Sequence, residues 1–155
     1  MTDMLMAFVV VLAGLASSPQ AHQHAQTELD RRGTLAMGFD QQKTTHAFVS
    51  APSGGSIEVR ANDAADRAST QQIRTHLAEI AKAFAAGDFT KPFQTHAEVP
   101  PGVPVMQRLR GAIRYAYSDI PRGGSVRITT TDPEALAAVH DFLAYQRREH
   151  THPPK

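Results

Sequence analysis

Two stretches of the chain alternate apolar and polar residues and predict two β-hairpins of the same design. In the first, residues 44–50 lead into a turn rich in proline and glycine, and residues 56–61 follow with Ile57, Val59 and Ala61 on one face. In the second, residues 112–119 and 125–130 flank a similar turn. Alternation with this period is typical of strands that have one buried and one solvated face.

Each hairpin is followed by a segment with the periodicity of a helix. From about Asp66 to Ala86 apolar residues recur every three or four positions, and Gly87 is placed to end that helix. The second segment opens with Asp132–Pro133–Glu134, a strong helix start, and runs to about Glu149. The residues expected on the inner stripes are Ile73, Leu77, Ile80 and Phe84 in the first helix and Leu136, Val139 and Leu143 in the second. Asp63 and Asp132 are both interpreted as helix-initiating residues.

The two units are similar enough to be interpreted as an internal repeat. Residues 37–63 and 106–132 align without a gap at an offset of 69. The identical positions are Met37/Met106, Ala47/Ala116, Pro52/Pro121, Gly54/Gly123, Gly55/Gly124, Ser56/Ser125 and Asp63/Asp132. The prediction is an α+β fold made of a duplicated ββα unit. Its four-stranded, mostly antiparallel sheet would carry the two long helices on one face.

The rest of the chain divides around this repeat. We expect one domain over residues 36–150, with the two repeats at about 37–87 and 106–149. Residues 22–35 are predicted to be a flexible lead-in, and residues 151–155 a frayed tail. The stretch 88–105 contains four prolines and reads as irregular, except that Pro104 could open a short helix through Arg110.

The N-terminus predicts export. Leu5–Ala16 is an apolar run of the length of a signal-peptide core, and it is shorter than the roughly 20 residues of a membrane-spanning helix. Residues 1–21 are therefore predicted to be a signal peptide, with cleavage after Ala21 or as late as Ala25. The expected location is the periplasm or the cell exterior, with no transmembrane segment in the mature form.

Composition narrows the classes of function. The formal net charge of +1 argues against nucleic acid as a partner, because phosphate binding needs a concentrated basic surface. The chain has no cysteine, which excludes disulfides, thiolate metal sites and cysteine nucleophiles. Catalytic motifs such as GxSxG, the P-loop and HExxH are also absent from the sequence.

Histidine is the one reactive residue type that the hydrophobic pattern places at several inward-facing positions. His76 and His140 fall on the inner stripes of the two predicted helices, in roughly matching places, and His46 falls on the inner face of the first strand. Three imidazoles in one core predict a metal site with His46, His76 and His140 as ligands, for copper, zinc or haem iron. His96 and Met106 are secondary candidates beside the proline-rich stretch.

Other interpretations remain open. Buried histidines also serve as hydrogen-bonded core residues, and the protein would then be a structural or interaction module of the cell envelope. Its contact surface would be the proline-rich stretch or the outer sheet face with Glu58, Arg60, Arg114 and Arg127. A small metal-dependent enzyme is a third hypothesis. On balance the sequence favours a binding protein that takes a metal ion or small ligand.

Several strings, among them MGFDQQKTTHAF, AFAAGDF and PRGGSVRITTTDPEALAAVHDFLAYQ, resemble a family of small exported bacterial proteins over residues 36–150. Some of its members carry the label aspartate carbamoyltransferase. That activity needs two α/β domains and a phosphate-binding loop of Ser-Thr-Arg-Thr type, and this chain has neither. The resemblance therefore implies a compartment and a domain boundary, and it implies no catalytic residues.

Overall fold

The structure is a computed structural model that describes residues 19–150. The predicted signal-peptide core, Leu5–Ala16, and the predicted tail, residues 151–155, lie outside the described residues. Residues 19–25, where the sequence predicts cleavage, belong to a helix, α1 (Pro19–Met37).

Four strands of eight residues form the sheet that the alternation predicts. They are β1 (Thr44–Ala51), β2 (Gly54–Ala61), β3 (Ile113–Ile120) and β4 (Gly123–Thr130). Their order in the sheet is β1-β2-β4-β3, and every neighbouring pair is antiparallel. The two hairpins therefore meet at their second strands, where Ile57 lies opposite Val126.

Two long helices cover one face of this sheet and bury its apolar side chains. They are α2 (Arg67–Ala85) and α5 (Pro133–Glu149). The sheet side chains buried beneath them include Ile57, Val59, Val126 and Ile128. Helix α2 packs on β3 and β4, whereas α5 packs mainly on β1 and β2. Each helix thus covers the hairpin that does not precede it, which joins the two units into one core.

Aspartate caps define where both long helices begin. The Asp66 carboxylate accepts hydrogen bonds from the Ser69 amide and hydroxyl, and the Asp132 carboxylate accepts from the amides of Glu134 and Ala135. The assignment of Asp63 as a helix-initiating residue is wrong. Its carboxylate accepts from the Ala65 amide in the preceding turn, three residues before the true cap.

The flexible lead-in predicted for residues 22–35 is also wrong, because these residues belong to α1. Leu29, Gly33 and Ala36 recur at helical spacing and are buried. A stripe of small residues in a polar segment gives only a weak amphipathic signal, which explains why the pattern does not reveal the helix.

The stretch predicted to be irregular, residues 88–105, contains a helix, α3 (Thr90–His96). Pro92 is its third residue, where the missing amide proton removes no helical hydrogen bond. The predicted short helix near Pro104 is present as α4 (Val103–Arg108), followed by a single 3-10 turn at Arg110–Ala112.

The predicted α+β class, the four-stranded antiparallel sheet and the two long helices on one face are confirmed. The origin of the two units by duplication stays a prediction. Within residues 19–150, no helix combines the length and the apolar character that a membrane crossing requires.

Candidate functional site

A cavity of about 60 Å³ lies inside the domain, between the covered face of the sheet and the helices. Its walls come from α2, α3 and α5, from β1 and β2, and from Met37 at the end of α1. Most of the lining is apolar and includes Phe39, Phe48, Val59 and Ile80. The volume is enough for a few water molecules and is smaller than the roughly 150 Å³ of an apolar cavity that accepts benzene.

Four histidines interrupt this apolar lining, namely His46, His76, His96 and His150. The ring of His150 lies 5.3 Å from that of His46 and 5.2 Å from that of His96, measured between centroids. His46 and His76 both pack against Phe39, at 6.1 Å and 5.6 Å. Imidazoles from four separate segments therefore line the cavity together with the apolar side chains.

The most buried polar pair at the cavity is His96 and Gln146. His96 is 8% exposed and Gln146 is 4% exposed. His96 Nε2 lies 2.9 Å from Gln146 Oε1. Because an amide oxygen only accepts, the ring donates its Nε2–H in this arrangement. Among residues 19–150, neither His96 Nδ1 nor Gln146 Nε2 has a hydrogen-bond partner. Each residue thus has one buried polar atom without a partner in this part of the chain, and both residues line the cavity.

Two of the imidazoles at the cavity, His76 and His96, are held neutral by their surroundings. Burial lowers the pKa of His76 to about 4, and the nearby positive charge of Lys91 acts in the same direction. Burial also lowers the pKa of His96, against the opposing effect of its hydrogen bond to Gln146. At neutral pH these two rings are therefore uncharged hydrogen-bonding groups.

Helix α3 carries His96 and is fastened to α1 by two long side chains. Lys91 Nζ donates to the carbonyl of Ala36 at 2.9 Å, and Arg32 Nε donates to the carbonyl of Thr95 at 3.1 Å. Lys91 and Thr95 both line the cavity. The contact between α1 and α3 therefore fixes one wall of the site.

The predicted metal site of His46, His76 and His140 is not assembled. His46 and His76 line the cavity, as their inward positions predict, but His140 does not. Its Nε2 lies 2.9 Å from the carbonyl oxygen of Ala51 and 3.1 Å from that of Gly54, at the turn between β1 and β2. In the described part of the chain, no three or more histidine, aspartate or glutamate side chains are grouped so that they could hold a metal ion.

The supposed match between His76 and His140 fails for a simple reason. The caps Asp66 and Asp132 are 66 residues apart, so Arg74 is the equivalent of His140. Arg74 also bonds a hairpin turn, donating to the carbonyls of Gly123 and Ile120. Both residues fasten a helix to the turn of the hairpin beneath it.

The two secondary metal-ligand candidates, His96 and Met106, are also in different places. His96 lines the cavity, whereas Met106 is buried in the core on α4 and is absent from the lining. A cavity of about 60 Å³ is also much smaller than the roughly 300–1,000 Å³ of sites that enclose whole cofactors. The residues at the cavity therefore do not fit a haem group.

Two residues of the site, His150 and Gln146, are missed by the sequence pattern. His150 comes directly after the predicted end of the second helix at Glu149, and it is 8% exposed, caps α5 and packs 5.4 Å from Phe48. Both residues continue the inner stripe of α5, at three and seven positions after Leu143. Extending that stripe to the end of the helix would have found them.

The outer sheet face stays uncovered by the helices. Glu58 and Arg60 form an ion pair of 2.7 Å there, and Arg114 and Arg127 are exposed. Pairs of this kind contribute little to stability.

Comparisons with protein-family models, with curated proteins and with solved structures find no match for this chain. The family resemblance carried by its sequence strings therefore stays a prediction. The site has to be interpreted from its own geometry.

Proposed function

We propose that this protein is a binding protein whose ligand occupies the cavity lined by His46, His76, His96 and His150. The observation that carries the proposal is a pair of buried polar atoms, His96 Nδ1 and Gln146 Nε2, that have no hydrogen-bond partner among residues 19–150 and belong to two residues that line the cavity. Leaving such atoms unpaired costs about 1–3 kcal/mol each. A ligand that pairs with them recovers this free energy.

The fold itself does not require a polar cavity. Two of the lining residues, Phe84 and Phe142, belong to an aromatic cluster, in which Phe84 stacks on Phe89 at 4.3 Å and meets Phe142 edge-on at 5.8 Å. A chain that can pack its core in this way has no structural need for four imidazoles around a void. This supports a role in binding over a purely structural role for the histidines.

The proposal replaces the expected metal or haem site with a site for a small molecule. Lys91 lies at the cavity, and no aspartate or glutamate is among its lining residues in the described part of the chain. The positive charge that lowers the pKa of His76 also disfavours a bound cation. We further propose that the protein binds its ligand after export, on the basis of the apolar run Leu5–Ala16.

The test of binding uses untagged full-length protein and a set of small probes that spans neutral polar, anionic, apolar and metal species. The probes are acetamide, acetate, xenon and Zn²⁺. Binding is measured by NMR chemical-shift changes and by calorimetry. At least one of acetamide, acetate and xenon should bind near one equivalent, and Val59→Ile, which enlarges a lining residue, should weaken that binding at least threefold. If none of these three binds, or if only Zn²⁺ binds, the proposed function is wrong.

The location is tested separately by fractionating cells that express the intact gene and sequencing the N-terminus of the protein. Export predicts a mature chain that begins shortly after Ala21 or Ala25 in the periplasm or medium. An unprocessed chain in the cytoplasm would contradict it.

A further inference from the structure

Resting on the proposed function, we infer that the His96–Gln146 pair selects a small uncharged ligand that both donates and accepts a hydrogen bond. A hydroxyl or a carboxamide group meets this requirement. The ligand is either a molecule of a few non-hydrogen atoms or the head of a larger molecule.

The first step is that two polar atoms at the cavity are unused. His96 and Gln146 are both more than nine-tenths buried, and both line the cavity. Their mutual hydrogen bond of 2.9 Å uses His96 Nε2 and Gln146 Oε1. His96 Nδ1 and Gln146 Nε2 stay without a partner among residues 19–150.

The second step is that these two atoms have opposite roles. Because His96 Nε2 carries the proton and the ring is neutral, Nδ1 presents a lone pair and accepts. Gln146 Nε2 carries two protons and donates. Turning the amide by 180° exchanges the two roles and leaves the same requirement, one donor and one acceptor on the ligand.

The third step concerns charge. A carboxylate only accepts hydrogen bonds, so it cannot donate to the lone pair of His96 Nδ1, and its negative charge repels that lone pair. An ammonium group only donates, and it approaches the positive charge of Lys91, which lines the same cavity. Neutral groups that do both are therefore favoured over either ion.

The fourth step concerns size and the rest of the wall. The volume of about 60 Å³ admits only a few non-hydrogen atoms, and the remaining lining is apolar. A ligand with so few non-hydrogen atoms binds weakly even when each atom contributes as much as the best small ligands achieve. We expect dissociation constants between tens of micromolar and millimolar for such probes.

The test compares isosteric probes on the folded full-length protein. Acetamide and acetate have the same shape and differ in charge, and xenon reports on apolar filling alone. Wild type is compared with Gln146→Leu, which removes the donor and keeps the size of the side chain. The matched control is His140→Asn, because His140 is a histidine on the same helix that bonds turn carbonyls outside the cavity.

The expected result is that acetamide binds at least tenfold more tightly than acetate. Gln146→Leu should weaken acetamide at least tenfold and leave xenon binding within twofold, while His140→Asn changes neither probe. Retention of xenon binding by Gln146→Leu also shows that this variant keeps its fold and its cavity.

Two results would overturn the inference and leave the proposed function standing. They are tighter binding of acetate and equal binding of acetamide by Gln146→Leu. Stoichiometric uptake of Zn²⁺ in preference to every other probe would overturn both, because the proposed function excludes a cation site. A site that holds only water, and from which no probe displaces it, would overturn both the inference and the proposed function.

Discussion

The two hairpin–helix units share a frame but differ in what they place at the junction of helix and sheet. With the hairpins aligned at an offset of 69 and the helices by their caps, His46 corresponds to Tyr115 and Phe84 corresponds to His150. Phe84 meets Tyr115 edge-on at 5.8 Å, while His150 meets His46 at 5.3 Å. The same ring contact is thus aromatic in one half and made of imidazoles in the other.

The correspondence extends to Gln146, whose equivalent in α2 is Ile80. An apolar side chain in one half is therefore replaced by a buried amide in the other, next to His96. The same offset pairs His76 on α2 with Phe142 on α5, so at this position the polar residue belongs to the first helix. The frame accepts an apolar residue at each of these positions, and this difference supports the proposed site at the cavity.

The largest effect should come from breaking the frame that both halves share. A Cβ on Gly123 would lie 1.8 Å from the carbonyl oxygen of Val59, and a Cβ on Gly54 would lie 2.0 Å from that of Ile128. Both clashes are with backbone of a central strand, which cannot move aside. We expect Gly123→Ala to lower the free energy of unfolding by more than about 4 kcal/mol in denaturant titrations.

The control for that prediction is Gly111→Ala, since an added Cβ at Gly111 meets no atom within 4 Å. It should change stability by less than about 0.5 kcal/mol. Equal losses for the two alanine variants would show that the close approach of β2 and β4 is not the cause.

The next largest effect tests the aromatic half. Phe89 is buried, stacks on Phe84 and does not line the cavity. Phe89→Ala should cost about 3–5 kcal/mol of unfolding free energy, since it removes a large buried side chain. Acetamide affinity, measured at a temperature where the variant is folded, should stay within threefold. A loss of acetamide affinity greater than threefold would contradict the separation of the aromatic cluster from the site.

A smaller effect is expected from pH at a buried histidine of the cavity, His76. The pKa of His76 is lowered by burial and by Lys91 to about 4, so the unfolded chain binds a proton at this residue below its ordinary pKa of about 6.5 while the folded chain does not. Protonation of His76 in the unfolded chain therefore does not lower the free energy of unfolding above pH 6.5. As the pH drops towards 4, it lowers this free energy by up to about 3 kcal/mol.

The comparison variant is His76→Gln, which cannot titrate. Unfolding free energies of both proteins would be measured between pH 7.5 and 4.5, and the wild type should lose more stability than the variant over this interval. Parallel curves would mean that His76 is accessible to protons in the folded state.

The smallest effect concerns the equivalent pair Arg74 and His140, which fasten the helices to the hairpin turns. Arg74→Ala and His140→Ala should each cost about 1–2 kcal/mol, the value of a partly buried hydrogen bond to a carbonyl. Because the two sites are at opposite hairpins, their effects should add in the double variant. Strong non-additivity would show that the units are more closely coupled than the contacts imply.

The sequence is a good guide to the parts of this fold that depend on periodicity and caps. Alternation finds the four strands within about two residues, and Asp132–Pro133 marks the start of α5 correctly. Helix α1 is missed because its buried stripe consists of one leucine and small residues. Helix α3 is missed because Pro92, which lies in its first turn, is a residue typical of loops.

The candidate site is predicted only in part, for a reason of geometry. Periodicity shows that His46 and His76 face inward, but it cannot show which inward residues meet across elements. His140 is used by a turn, and His96 reaches the cavity only because α3 forms. The partner of His96 is a glutamine, which a search for reactive residue types does not consider.

The most direct test of the central claim is a long-range ¹H–¹⁵N NMR spectrum of the histidine rings, recorded during titration with acetamide at pH 7. The account predicts that His96 is neutral with one protonated ring nitrogen. The signal of its Nδ1 should shift on saturation, while the signals of His140 stay in place. Saturation of the protein with no change at His96, or a shift at His140 of the same size, would contradict the account.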